Sequence, residues 1–167
     1  MTPRYVLIGP PGSGKTTVGK ALADKLGLEF RDTDVDVAER AGKSIAEIFV
    51  EDGEPIFRQF EETAVANALR EHSGVLALGG GAIMSASTQE ELEKTETTVI
   101  FLDVSISAAS PRIGLNRDRP LLLVNPRAQW LSLMEKRRPI YERLADITIV
   151  TDEQNPSSVA EQILERV

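Results

Sequence analysis

The apolar run Tyr5–Ile8 passes directly into Gly9-Pro10-Pro11-Gly12-Ser13-Gly14-Lys15-Thr16, and an amphipathic helical pattern from Lys15 to Leu26 follows, stopped by Gly27. No other feature restricts the fold as much. Glycines at the G-x-x-x-x-G-K-[ST] spacing let backbone N–H groups curl around a phosphate without Cβ clashes. The helix that follows brings partial positive charge to the same point. The segment at 9–16 therefore predicts a strand, a phosphate loop and a helix that together bind a nucleoside triphosphate. Gly12, Ser13, Gly14 and Thr17 surround the phosphates, Lys15 reaches the β- and γ-phosphates, and the Thr16 hydroxyl can ligate Mg²⁺.

Beyond the loop, short β-branched runs alternate with longer helical patterns. Strands are expected at 28–31, 75–78 and 98–102 and at Ile147–Val150, in addition to Tyr5–Ile8. Ser44-Ile45-Ala46-Glu47 is a capping box opening a short helix, and Pro55 suits the first turn of a long one running to about 72. Alternation of strand and helix predicts a five-stranded parallel sheet covered by helices on both faces. Ligands of such sheets bind outside the carboxyl ends of the strands. Three unusual sequences fall at those ends: the loop at 9–14, Asp32-Thr33-Asp34, and Gly79-Gly80-Gly81.

The chain has 167 residues, the size of one domain, with 19 basic and 26 acidic residues, a net charge of −7. A protein that grips nucleic acid through its phosphates needs a basic face, so this balance argues against that class. Cysteine is absent, which removes disulfides, thiolate nucleophiles and cysteine-held metals and fits a reducing compartment. No apolar stretch approaches a signal-peptide core or a membrane span, and the expectation is a cytoplasmic, monomeric protein without membrane partners.

A phosphate loop alone does not separate a small-molecule kinase from a GTPase switch or a motor ATPase. There is no guanine-reading Asn-Lys-x-Asp segment, and the one Asp-x-x-Gly match, Asp24 to Gly27, ends the first helix. The run at 75–78 passes into glycines without the acid that holds Mg²⁺ and activates water in a motor ATPase. Transfer to a bound hydroxyl is favoured over hydrolysis.

The pattern formed by the phosphate loop, Asp32-Thr33-Asp34, Gly53-Glu54-x-x-Phe57-Arg58, Gly79-Gly80-Gly81, Arg119-Pro120-Leu121-Leu122 and Arg137-x-Pro139-x-Tyr141 resembles the shikimate kinases along nearly the whole chain. Each later motif is weak alone; their order and spacing are specific. Gluconate kinases share the loop, architecture and size but do not predict Gly-Glu-x-x-Phe-Arg together with three glycines. The resemblance implies transfer of the ATP γ-phosphoryl group to the 3-hydroxyl of shikimate, within aromatic amino-acid biosynthesis. It also implies a fold like the nucleoside monophosphate kinases, with an acceptor-binding segment at about 33–61 and a lid at about 112–124.

The resemblance assigns roles that chemistry can weigh. Arg58 and Arg137 are the carboxylate-binding positions, suited by a guanidinium fork; Arg58 also reads as a surface ion pair with Glu61 or Glu62. Arg138, about 100° round the helix from Arg137, is expected to be solvated. Asp34 is the acceptor-binding carboxylate, placed to take the reacting proton, and reads equally as the N-cap of a helix over 35–40. Asp32 orients Mg²⁺ through water, and Asp36 reads as surface. Gly79, Gly80 and Gly81 let backbone approach the acceptor. In the lid, Arg119 closes onto the transferring phosphate, with Arg117 as its competitor, and Arg112 stacks on adenine. Gln154 belongs to an adenine-side loop whose Asp152 and Glu153 depart from the basic residues that relatives often carry. Trp130 reads as packing, and His72 as a ring capping helix carbonyls.

Overall fold

The computed structural model describes residues 2–114 and 125–167. Its sheet has five strands, β1 (Tyr5–Ile8), β2 (Phe30–Asp32), β3 (Val75–Ala77), β4 (Thr98–Asp103) and β5 (Ile147–Val150), in the order β2-β3-β1-β4-β5. Every neighbouring pair is parallel, with Tyr5 opposite both Val75 and Thr98. The helices are α1 (Lys15–Leu26), α2 (Thr33–Ala41), α3 (Ile45–Glu51), α4 (Glu54–Glu71), α5 (Ala86–Lys94), α6 (Ile106–Gly114), α7 (Pro126–Leu144) and α8 (Pro156–Arg166).

Strand alternation sorts the core into two layers. Val6 and Ile8 of β1 join Leu76, Val99 and Phe101 in a cluster completed by Val65 of α4, Leu92 of α5 and Tyr141 of α7. Tyr5 and Leu7 point the other way and join Ile100, Ile149, Val18 and Leu22 of α1 and Ile163 of α8. A third, smaller cluster of Val37, Ile48, Phe57 and Ala64 lies among α2, α3 and α4. Each fully buried branched or aromatic side chain contributes about 1.5–3 kcal/mol, so the two sheet faces carry most of the stability.

The expected elements form, with shifted edges. β2 begins two residues later than the expected 28–31 because Leu28 still belongs to the end of α1, its N–H donating to Ala23 O at 2.9 Å. The ladder opens only where Val75 N–H reaches Glu29 O. α2 starts at Thr33 rather than 35. Its N-cap is Asp32, whose carboxylate accepts from the Asp34 N–H, so Asp34 lies in the first turn and does not cap. The His72 ring lies 2.9 Å from Val75 O at the start of β3 and does not cap carbonyls of α4. Arg138 is not simply solvated: it grips Asp103 at the end of β4 with both Nη atoms, at 2.8 and 3.0 Å, tying α7 to the sheet. Asp36 is likewise engaged, accepting from Arg31 Nε at 2.7 Å. No helix among the described residues is long and apolar enough to cross a membrane.

Candidate active site

Parallel strands put their carboxyl ends on one edge, and there β1 delivers Gly9, β2 Asp32 and β3 the glycines at 79–81. A cleft of about 290 Å³ opens over this edge, lined by Gly12, Lys15, Thr16, Asp32, Asp34 and Arg112 among others. The loop can turn so tightly because Gly12 and Gly14 stand at φ 82° and 93°, where a side chain would be strained. Lys15 is buried, its ammonium donating to Gly9 O at 2.7 Å and Pro10 O at 3.1 Å.

Thr16 Oγ1 donates to Asp32 Oδ2 at 2.9 Å, joining the first turn of α1 to the end of β2. Burial, and then the neighbouring charge of Asp34, push the Asp32 carboxyl above the usual carboxylate range. The Asp34 N–H, the Thr16 hydroxyl and the Lys15 charge pull it partway back. A half-buried carboxylate beside a hydroxyl and a second carboxylate is an oxygen donor set suited to a hard divalent cation. Among the described residues no cluster of three or more His, Cys, Asp or Glu could hold a metal ion.

The glycine triplet is where Asp34, Arg58 and Arg137, the residues expected on the acceptor side, converge. A Cβ on Gly79 would lie 2.7 Å from Asp34 Oδ1 and 2.8 Å from Glu61 Oε2. One on Gly80 would lie 3.2 Å from Pro11 Cδ and 3.5 Å from Arg137 Nη1. One on Gly81 would meet both Arg58 Nη atoms, at 2.5 and 2.7 Å, and Arg137 Nη2 at 2.9 Å. Two guanidinium groups thus meet over Gly81, and two carboxylates lie beside Gly79.

Arg58 donates to Glu61 Oε1 at 2.8 Å and to Glu54 at 3.2 Å, so its helix partners are Glu54 and Glu61, while Glu62 takes the hydroxyls of Ser85 and Ser87. Burial pulls the Arg58 guanidinium down, but attraction to Glu61 and Glu54 and the hydrogen bonds it donates to them outweigh burial and hold the group above its ordinary value. Arg137 is 5% exposed, and Tyr141, one turn on, donates to Gly80 O at 2.5 Å. The 100° separation of neighbouring helix positions is realised: Arg137 faces the glycines and Arg138 faces Asp103.

Arg112 donates to Gly12 O at 2.9 Å and to Thr151 O at 3.2 Å, and it lines the cleft. Gln154 turns back to Val150 O at 2.6 Å, while Asp152 accepts from the Ser105 N–H, tying the loop after β5 to the start of α6. Arg117 and Arg119, with most of the expected lid, lie outside the described residues. Motif reading missed Trp130, Thr151 and the buried Glu61 as parts of this edge. Trp130 Nε1 donates to Pro11 O and Thr151 Oγ1 to Ser13 O, both at 2.9 Å. Glu61 had a signal, its i+3 spacing from Arg58; the other two make contacts more than a hundred positions away and had none.

The chain is similar to known proteins over its full length. A family model described as shikimate kinase matches residues 11–167. A shikimate kinase of Saccharopolyspora erythraea is 51% identical over 168 residues, covering 100% of this chain and 95% of the relative. One of Salinispora arenicola is 52% identical over 163 residues, covering 98% and 96%. The structure of a shikimate kinase from Acinetobacter baumannii in complex with shikimate superposes with a TM-score of 0.94 at 36% identity, covering 99% of this chain and 93% of that one. The phosphate loop, the paired arginines and the glycine edge thus stand within a chain that belongs to the shikimate kinase family.

Proposed function

We propose that the chain transfers the γ-phosphoryl group of ATP to the 3-hydroxyl of shikimate, giving 3-phosphoshikimate and ADP on the path to chorismate and the aromatic amino acids. The observation that carries this reading is the meeting of Arg58 and Arg137 over Gly81, with Asp34 beside Gly79, on the same strand edge as the phosphate loop. Two guanidinium forks suit one carboxylate, and a carboxylate at the far end of the glycine edge suits hydroxyls. A ring acid bearing hydroxyls satisfies both ends at once.

In this mechanism Gly12, Ser13, Gly14, Thr16 and Thr17 hold the triphosphate at the start of α1, and Lys15 exchanges the carbonyls of Gly9 and Pro10 for phosphate oxygens. Asp34 orients the acceptor hydroxyl and takes its proton as the oxygen bonds to the γ-phosphorus. The bond from that phosphorus to the β–γ bridging oxygen breaks, and the electron pair leaves with ADP. Thr16 directly, and Asp32 through water, are the residues that would hold Mg²⁺, which neutralises charge on the transferring phosphate when bound. Arg112 and Gln154 flank the nucleotide. Arg119 is assigned to the transferring phosphate by its motif alone. The acidic chain, net −7, acts in this reading as a cytoplasmic monomer on small molecules, with no nucleic-acid or membrane partner.

An ADP-release assay with Mg²⁺ and ATP, comparing shikimate, quinate, gluconate and AMP, tests the assignment. Turnover with shikimate well above the others is expected. Preference for gluconate or AMP would overturn the acceptor reading, and no turnover with any of them would leave a nucleotide-binding protein without transfer activity.

A further inference from the structure

Every carbonyl oxygen of the phosphate loop from Gly9 to Ser13 has a side-chain donor. Lys15 serves Gly9 O and Pro10 O. Trp130 Nε1 serves Pro11 O, Arg112 Nη1 serves Gly12 O, and Thr151 Oγ1 serves Ser13 O, each at 2.9 Å. The last three donors come from α7, from α6 and from the residue after β5, at sequence separations of 119, 100 and 138. Local turn geometry does not produce that arrangement; three distant elements converge on three consecutive peptide groups.

In a planar trans peptide the carbonyl of one residue and the N–H of the next point in opposite directions, and no described peptide is cis. Holding Pro11 O against Trp130 therefore aims the Gly12 N–H the other way. Holding Ser13 O against Thr151 does the same for the Gly14 N–H. Gly12 and Gly14 both line the cleft. The peptide between them is held at both ends, Gly12 O by Arg112 and the Ser13 N–H by Pro10 O at 3.2 Å. Trp130 is 3% exposed and Thr151 2%, so water competes little for these bonds, and a carbonyl deprived of its donor there stays unsatisfied.

We propose that Trp130 and Thr151 are positioning residues for phosphoryl transfer. They clamp the outward carbonyls of the phosphate loop so that the Gly12 and Gly14 N–H groups stand preorganised toward the phosphates of a nucleoside triphosphate. Preorganised donors favour binding because the ordering is done before the ligand arrives. This rests on the nucleotide site described under Proposed function and adds two residues to it.

The test uses Trp130→Phe, which keeps a ring and loses the N–H, Thr151→Val, which keeps the shape and loses the hydroxyl, and Thr151→Ser, which restores the hydroxyl. Calorimetric titration with ADP and with Mg²⁺-ATP in the absence of shikimate is paired with steady-state kinetics and with circular dichroism of each variant. Trp130→Phe and Thr151→Val are each expected to weaken nucleotide affinity and raise KM for ATP by about three- to tenfold, the size of one net hydrogen bond. KM for shikimate should stay within about twofold, and Thr151→Ser should recover most of the loss. Nucleotide affinity unchanged in both variants, equal loss for both substrates, or Thr151→Ser as weak as Thr151→Val would overturn the proposal. Failure of the acceptor assignment would appear instead in the turnover of the unsubstituted protein, since the binding arm contains no shikimate.

Discussion

Thr16 Oγ1 and Asp32 Oδ2 meet at 2.9 Å, and this bond brings the hydroxyl of the phosphate loop to a carboxyl that burial displaces above the usual carboxylate range. Burial of Asp32, reinforced by the charge of Asp34, makes its ionised form costly in the folded chain. In the unfolded chain the group returns to its ordinary value of 3.8. The folded state therefore holds the Asp32 proton more tightly, and the ionised group lowers stability at neutral pH. That cost fades as pH falls through the raised folded value and is gone below 3.8. Asp32→Asn, which retains the N-cap on Asp34, is accordingly expected to raise the melting temperature at pH 7, with the gain shrinking toward zero in acid. Turnover at limiting Mg²⁺ should fall by about 10- to 100-fold. Calorimetric melts across pH with Mg²⁺-dependent kinetics check both; a lower melting temperature at pH 7 would contradict the account.

Asp34→Asn should cut turnover by about a hundredfold or more, the usual scale for a positioned base. Because Asp32 rather than Asp34 caps α2, the melting temperature should barely move. Kinetics and thermal melts on one variant separate the chemical role from a structural one. Turnover near that of the unsubstituted protein would remove Asp34 from the reaction.

Arg58→Lys and Arg137→Lys should each weaken shikimate binding by about tenfold or more while leaving ADP binding close to normal, because lysine keeps the charge and loses the fork. Arg137 should show the larger loss: it is 5% exposed, and a misfitted ammonium there has little water to turn to. Calorimetric titration with each ligand reads the two effects apart.

Gly81→Ala tests the convergence directly. The backbone at Gly81, with φ −96° and ψ 0°, accepts alanine, so the added methyl acts only by displacing the tips of Arg58 and Arg137. Shikimate affinity is expected to drop by about ten- to hundredfold with ADP affinity and fold preserved. Normal shikimate affinity would mean that the two guanidinium groups do not converge on the acceptor.

The parts of the fold that were legible are those written in local pattern. Tyr5–Ile8 and Lys15–Leu26 appear as read, because the apolar run, the glycine loop and the stop at Gly27 all act within a few residues. Asp32-Thr33-Asp34 and the glycines at 79–81 were placed at strand ends by composition, and parallel topology does bring them to one edge. What stayed hidden depends on distance along the chain. The order β2-β3-β1-β4-β5, the grip of Arg138 on Asp103 and the seats of Trp130 and Thr151 all arise from contacts between elements whose sequences carry no mark of one another. The start of α2 was misread for a subtler reason: three polar residues in a row can each cap a helix, and only the backbone hydrogen bonds single out Asp32.

The small cluster of Val37, Ile48, Phe57 and Ala64 is separate from the two clusters that sandwich the sheet, yet α4 belongs to both worlds: Phe57 and Ala64 pack in the small cluster, Val65, Ala68 and Leu69 in a large one. The helix is thus rooted at its carboxyl half and carries Arg58 and Glu61 on the half whose support is thin. Opening that corner exposes a handful of side chains, whereas opening the sheet exposes dozens, so local opening is expected to begin at the corner. Among the described helices, amide exchange should be faster along α2, α3 and the first turns of α4 than along α1 and α7, so the proposed acceptor seat on α4 would be softer than the proposed nucleotide seat on α1.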